Sequence, residues 1–216
     1  VGEHATSSRR PTAGERSRQA ILETAAQLAT VEGLEGLSIG RLADAVGMSK
    51  SGLYAHFRSK LELQLATIRT AGEVFEHEVM EPGQAAQPGT SRVLALCDAF
   101  LSHVERGVFP GGCFFVAAAA EMNVRPGPVR DSIAEFVAGW MQAIAEAVRE
   151  AQSRGEIASD VDSAQLAFEI NALLVGANLA YPLFDDPALL ERARLGVRDR
   201  LRAAAAGRPA GATPTT

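Results

Sequence analysis

Apolar residues recur at three- and four-residue spacing along almost the whole chain, and no stretch alternates apolar and polar residues at every second position. That pattern excludes a sheet and calls for amphipathic helices packed on one another. The first periodic stretch begins near Glu15, with Ile21, Ala25 and Leu28 on one stripe and Leu22, Ala26 and Ala29 beside it, and Gly33 and Gly36 stop it. Ser38 is placed to cap a short helix whose inward face is Ile39, Leu42, Ala43 and Val46, and Gly47 breaks it. Ser49 can cap a second short helix ending near Phe57. From Lys60 a longer helix carries Leu61, Leu65, Ile68, Val74, Phe75 and Val79, and 82–89 reads as a linker. Further helices are expected from Thr90 and over 113–122, 129–154, 163–181 and 187–205. The predicted fold is all-α with about nine helices: a flexible basic arm over 1–14, a three-helix unit over 15–60, a helical body over 61–206 and a disordered tail over 207–216.

Composition narrows the class. With 47% hydrophobic and 22% charged residues in 216, the chain has enough apolar side chains for a core. Two cysteines, Cys97 and Cys113, make no disulfide framework and suit a reducing compartment. The most apolar run, 113–120, is shorter than the roughly 20 residues a bilayer needs. Residues 1–10 are polar with no apolar core behind them, which predicts no secretory leader, no membrane partner and a cytoplasmic location. Charge is uneven: residues 1–60 hold eight basic and six acidic side chains, whereas the rest holds 13 and 20. A basic head on an acidic body points to a polyanionic partner at the head.

The informative stretch is Leu37-Ser-Ile-Gly-Arg-Leu-Ala-Asp-Ala-Val-Gly-Met-Ser-Lys-Ser-Gly-Leu-Tyr-Ala-His-Phe-Arg-Ser-Lys60. It reads as helix, glycine turn, helix, the arrangement that presents its second helix to the DNA major groove. Leu42, Ala43, Val46, Leu53 and Phe57 fall on an inward face, and Ala43 is small, as a close helix crossing requires. Ser49, Lys50, Ser51, Gly52, Tyr54 and His56 fall outward, small or hydrogen-bonding groups suited to phosphate walls and base edges. Arg58 and Lys60 add charge directly afterwards, and Arg9, Arg10, Arg16 and Arg18 on the arm are candidates for phosphate or minor-groove contact.

The run Gly47-Met-Ser-Lys-Ser-Gly-Leu-Tyr-Ala-His-Phe-Arg-Ser-Lys60 resembles the recognition-helix signature of the TetR family of transcriptional regulators, closely over 15–65. Gly111-Gly112-Cys113-Phe114 resembles a loop-to-helix motif of one branch. The resemblance implies a homodimer on double-stranded operator DNA, commonly a repressor, released when a small molecule binds the body. It also implies that Ser38 contacts phosphate, that Ser49, Lys50, Ser51 and Gly52 meet bases and nearby phosphates, that Tyr54 and His56 face the DNA backbone, and that Lys60 binds phosphate. Gly40 departs from members with a longer polar side chain at that place.

A helical body of this size exceeds what a DNA reader needs, so sensing or dimerisation is expected of it. Candidate pocket residues are Phe100, Phe114, Phe115, Met122 and Trp140, with His103, Glu121, Asn171 and Asn178 as polar pointers because buried polar groups need partners. The expected ligand is small and largely apolar. By resemblance to the family's four-helix interface, the last two helices form the dimer contact, through Leu173, Gly176, Ala177 and Ala180 and the bulk of Leu190, Leu195, Val197 and Leu201. Cys113 follows two glycines, and a helical enzyme with this thiol as nucleophile is the competing reading. A ligand-binding module without operator binding is a third. No metal-ligand spacing, phosphate loop or nucleophile elbow is present, so no metal or cofactor is expected.

Overall fold

The structure, a computed structural model, describes residues 12–205. The expected arm over 1–14 lies outside the described residues except for its last three, and the tail over 207–216 lies wholly outside them. Among the described residues there are nine helices and no strand.

Helix α1, Ala13–Glu32, starts two residues before the predicted position because Thr12 and Glu15 form a reciprocal capping box. The Thr12 N–H donates to the Glu15 carboxylate at 2.6 Å and the Glu15 N–H to the Thr12 hydroxyl at 3.2 Å. Helices α2, Ile39–Val46, and α3, Lys50–Tyr54, complete the head. Helix α4, Lys60–Phe75, is capped by the Ser59 hydroxyl, which accepts from the Glu62 N–H. It does not stop at the expected linker but continues through a π turn, Glu76–Met80, and a last α turn, Glu81–Gln84. Proline gives no N–H to the ladder and its ring collides with the carbonyl four residues back. The wide π turn just ahead of Pro82 lets the helix pass it.

The body adds α5 Thr90–Glu105, α6 Phe114–Met122, α7 Pro128–Ser153, α8 Ser163–Phe184 and α9 Ala188–Ala205. Helix α5 packs against α7, α8, α9 and the far part of α4, while α4 and α6 both touch α1 of the head. Gly89 has no side chain to cap α5, so the Glu156 carboxylate does it from a distance, accepting from both the Thr90 N–H and hydroxyl at 2.8 Å. The Arg154 guanidinium, together with these donors, holds Glu156 down to about 2.

One continuous apolar core runs from Ile21, Leu42, Leu53 and Phe57 in the head, along Leu63 and Phe75 of α4, to Leu101, Ile144, Leu166 and Leu174 in the body. Helix α8 outlasts its predicted end by three residues: Pro182 removes one ladder donor without stopping it, and the chain turns away only at Asp185, which is left-handed. By length and composition α8 could cross a membrane. Its buried side chains, among them Leu166, Ile170 and Leu174, instead face the body.

Candidate nucleic-acid interface and ligand cavity

The helix-turn-helix is assembled from local chemistry. The Ser38 hydroxyl caps α2 by accepting from the Arg41 N–H, and the Ser49 hydroxyl caps α3 by accepting from the Gly52 N–H. Gly47 takes a left-handed conformation at φ 67° and ψ 29°. Its N–H donates to Asp44 O at 3.4 Å while the Met48 N–H reaches Ala43 O at 2.9 Å, the paired bonds of a Schellman motif. A side chain at Gly47 would oppose that conformation, so the angle between α2 and α3 depends on glycine there. Leu42, Ala43, Leu53 and Phe57 are fully buried between the helices, and the Arg18 guanidinium lies 4.9 Å over the Phe57 ring.

The outward set is where the pattern puts it. Ser38, Ser49, Lys50, Ser51 and Tyr54 are exposed, and Gly52 and His56 half-buried. The Tyr54 side chain projects with 57% of its surface free. Gly40 has a role the sequence did not suggest: a Cβ there would meet Lys50 Cε at 3.2 Å, so its bareness leaves room for the Lys50 stem beside α2. Lys60 is not simply a free cation. Its Nζ donates to Glu35 O at 2.6 Å and pairs with the Glu35 carboxylate at 2.8 Å. Lys60 first, then Gln64, holds the Glu35 carboxyl below its ordinary range.

These bonds belong to a junction between head and body. The loop joining α1 to α2 exposes the N–H groups of Leu34 and Glu35, which donate to the two oxygens of Glu121 at 2.6 and 3.0 Å. Gln64 Nε2 donates to Leu34 O at 3.0 Å from the α4 side. The Gly111 N–H donates to the Thr30 hydroxyl at 3.2 Å. A Cβ on Gly111 would stand 2.0 Å from Thr30 O, so only glycine permits this approach. Glu121 thus joins the body to the head and lies outside the cavity where it was expected.

The cavity, of about 330 Å³, lies among α4, α5, α6, α7 and α8. Of the nine candidate pocket residues, Phe100, Phe115, Trp140 and Asn171 line it. Sequence reading missed Phe75 of α4, Val116 and Ala119 of α6, and Val175 and Leu179 of α8. His103, Phe114, Met122 and Asn178 do not line it. Asn178 Oδ1 instead accepts from the Cys113 N–H at 2.7 Å, locking the start of α6. His103 is buried beside the rings of Phe75 and Phe109 with neither ring nitrogen bonded, and burial pushes it down to about 4.

Phe75 is the hub of the aromatic lining, meeting Phe100, Phe115, Phe136 and Trp140 edge to face. Cys113 lines the cavity but is buried, and that burial pushes its thiol up to about 11. A protonated thiol is the opposite of what a nucleophile requires, so the geometry lends nothing to the enzyme reading. Among the described residues no three metal-ligating side chains come together.

The outer surface of α8 and α9 divides the expected dimer set. Leu190, Val197, Leu201 and Ala177 are buried in the chain's own core, because the inward stripe of α9 is the one that packs on the body. Leu173, Gly176, Ala177 and Ala180 line a shallow groove between α8 and α9, with Ala177 deepest. The apolar side chains left in the open are Phe168, Leu179, Leu183 and Phe184 of α8 and Leu195 of α9.

The geometry has clear relatives. Residues 21–67 match the family model described as bacterial regulatory proteins, tetR family, and residues 89–197 match that for the tetracyclin repressor-like C-terminal domain. The transcriptional regulator AcuR of Cereibacter sphaeroides is 26% identical over 155 residues, covering 70% of this chain and 69% of its own. The crystal structure of a TetR transcriptional regulator from Chloroflexus aurantiacus superposes with a TM-score of 0.81 at 28% identity, over 88% of this chain and 96% of that one. That of AibR in complex with isovaleryl coenzyme A and operator DNA gives 0.65 at 27% identity, over 83% and 94%. A capped, glycine-turned pair of helices joined through one long helix to a cavity-bearing body, matched at both ends by its own family model, places this chain in the TetR family of bacterial transcriptional regulators.

Proposed function

We propose that the chain acts in the cytoplasm as a homodimeric repressor that holds operator DNA when empty and releases it when a small, largely apolar molecule fills the cavity. The observation that carries this reading is the double duty of α6. Cys113, Phe115, Val116 and Ala119 line the cavity, while Glu121 on the same helix holds the loop between α1 and α2. A ligand that shifts α6 therefore acts directly on the head. Its leverage is bounded by its affinity difference between the two arrangements of that junction.

In this reading residues 15–60 contact DNA and 61–206 sense and dimerise. Ser38, Ser49, Lys50, Ser51, Gly52, Tyr54, His56 and Lys60 meet the duplex, with Lys60 exchanging Glu35 for phosphate. The two α3 helices of a dimer must then stand one turn of duplex apart, about 34–36 Å. The open apolar side chains of α8 and α9 supply the dimer face. Support comes also from the description tetracyclin repressor-like, and AibR, whose structure holds isovaleryl coenzyme A and operator DNA, supports the binding of both a ligand and DNA rather than the release. The test is selection of bound duplexes from a random pool by the purified protein at low salt. Enrichment of a two-fold symmetric site is expected, and no enriched sequence would refute the reading.

A further inference from the structure

Asn171 lines the cavity, and its amide orientation is settled by Trp140. The indole Nε1–H can only donate, and it donates to Asn171 Oδ1 at 3.0 Å. That bond fixes which way the amide faces and uses one of the two lone pairs of Oδ1, and the amide NH2 makes no hydrogen bond among the described residues. It is a donor held at the wall of an aromatic cavity.

The rest of the lining contains no Asp, Glu, Lys, Arg or His, and its other amide, Asn123, is exposed at the end of α6. An anion entering it would leave water without a counter-charge, which is costly in an apolar site. A quaternary ammonium fares little better, because it needs open ring faces. Phe115 and Phe136 stack on each other with centroids 3.3 Å apart, and Phe100 stacks on Trp140 at 5.9 Å. Phe115 and Phe136 thus each lose one face to the other, which leaves fewer faces for a cation.

We propose that the cavity selects an uncharged ring compound bearing a hydrogen-bond acceptor, such as a carbonyl oxygen, which the Asn171 amide NH2 engages while the aromatic rings pack the hydrocarbon. This deepens the effector reading above and rests on it only for the regulatory outcome. It makes Asn171 the residue that sets ligand specificity.

The experiment is calorimetric titration of the full chain at neutral pH with four probes of similar size: acetophenone, ethylbenzene, benzoate and phenyltrimethylammonium. Acetophenone is expected to bind, with benzoate and phenyltrimethylammonium at least about tenfold weaker. In Asn171→Leu the affinity ratio of acetophenone to ethylbenzene falls about 3- to 10-fold, the worth of one neutral hydrogen bond. Asn171→Asp keeps an acceptor for Trp140 but offers no amide donor, so acetophenone weakens and phenyltrimethylammonium gains. This second variant also guards against a loss of packing in the first. Either charged probe binding wild type as tightly as acetophenone, an unchanged ratio in both variants, or saturable binding by none of the four would overturn the proposal. Operator release is measured separately: acetophenone that binds with this preference but leaves the protein on DNA would refute the effector role and leave the ligand chemistry standing.

Discussion

Replacing Glu121 with glutamine removes a charge while keeping the side chain's shape. In the wild type its two oxygens accept from the Leu34 and Glu35 N–H groups at 2.6 and 3.0 Å. Glutamine retains one acceptor and turns an NH2 toward the other amide, so one backbone donor loses its partner. Hydrogen bonds to a charged group are worth about 1.5–3 kcal/mol, and one is lost outright. The expected cost is therefore about 1.5–3 kcal/mol, which for a chain of this size lowers Tm by roughly 3–12 °C. Melting alone does not locate the effect, so the decisive assay is amide hydrogen exchange. Opening of the junction becomes easier by the same free energy, and the Leu34 and Glu35 amides should exchange about 10- to 100-fold faster. Amides within α7, remote from the junction, should slow or quicken only with global stability. Unchanged exchange at Leu34 and Glu35 would mean that the carboxylate does not hold the head.

Lys50→Ala should weaken operator binding and lower the salt slope by about one, whereas Lys60→Ala should lower it less, because its Nζ already pairs with Glu35. Fluorescence anisotropy over a salt series decides, and equal slopes for both variants would refute the distinction. His103, pushed down to about 4 from 6.5 by burial, binds fewer protons folded than unfolded between those values. Stability should therefore fall as pH drops from about 6.5 to 4, by up to about 3 kcal/mol, and His103→Leu should flatten that part of the denaturation profile. Leu183, 75% exposed on α8, should anchor the dimer face; Leu183→Glu should yield monomers on sedimentation without lowering helix content.

What the sequence disclosed was the chemistry of near neighbours. Ser38, Ser49 and Gly47 act on groups within five residues of themselves, and Leu42, Leu53 and Phe57 followed from helical spacing, so the head could be read directly. Polarity in an apolar setting rightly flagged Glu121, Asn171 and Asn178 as needing partners. It could not say which partners, since Glu121 reaches 87 residues back to Leu34 and Asn178 reaches 65 back to Cys113. Phe75 was hidden for a different reason: its helix read as an ordinary stripe, and only tertiary packing turns that face into a cavity wall. Helical periodicity also marks a face as covered without saying by what. The resemblance to a four-helix interface therefore points Leu190, Val197 and Leu201 of α9 at a partner subunit, although their own body buries them.

Gly111 bears on how such a protein diversifies. Its backbone lies against Thr30, and neither residue lines the cavity. Rings on α5 and α7, such as Phe100 and Phe136, can therefore be exchanged for new chemical tastes while this contact between head and body stays the same. Under the proposed reading, one ancestral switch can come to answer different molecules while keeping the same joint to its reader.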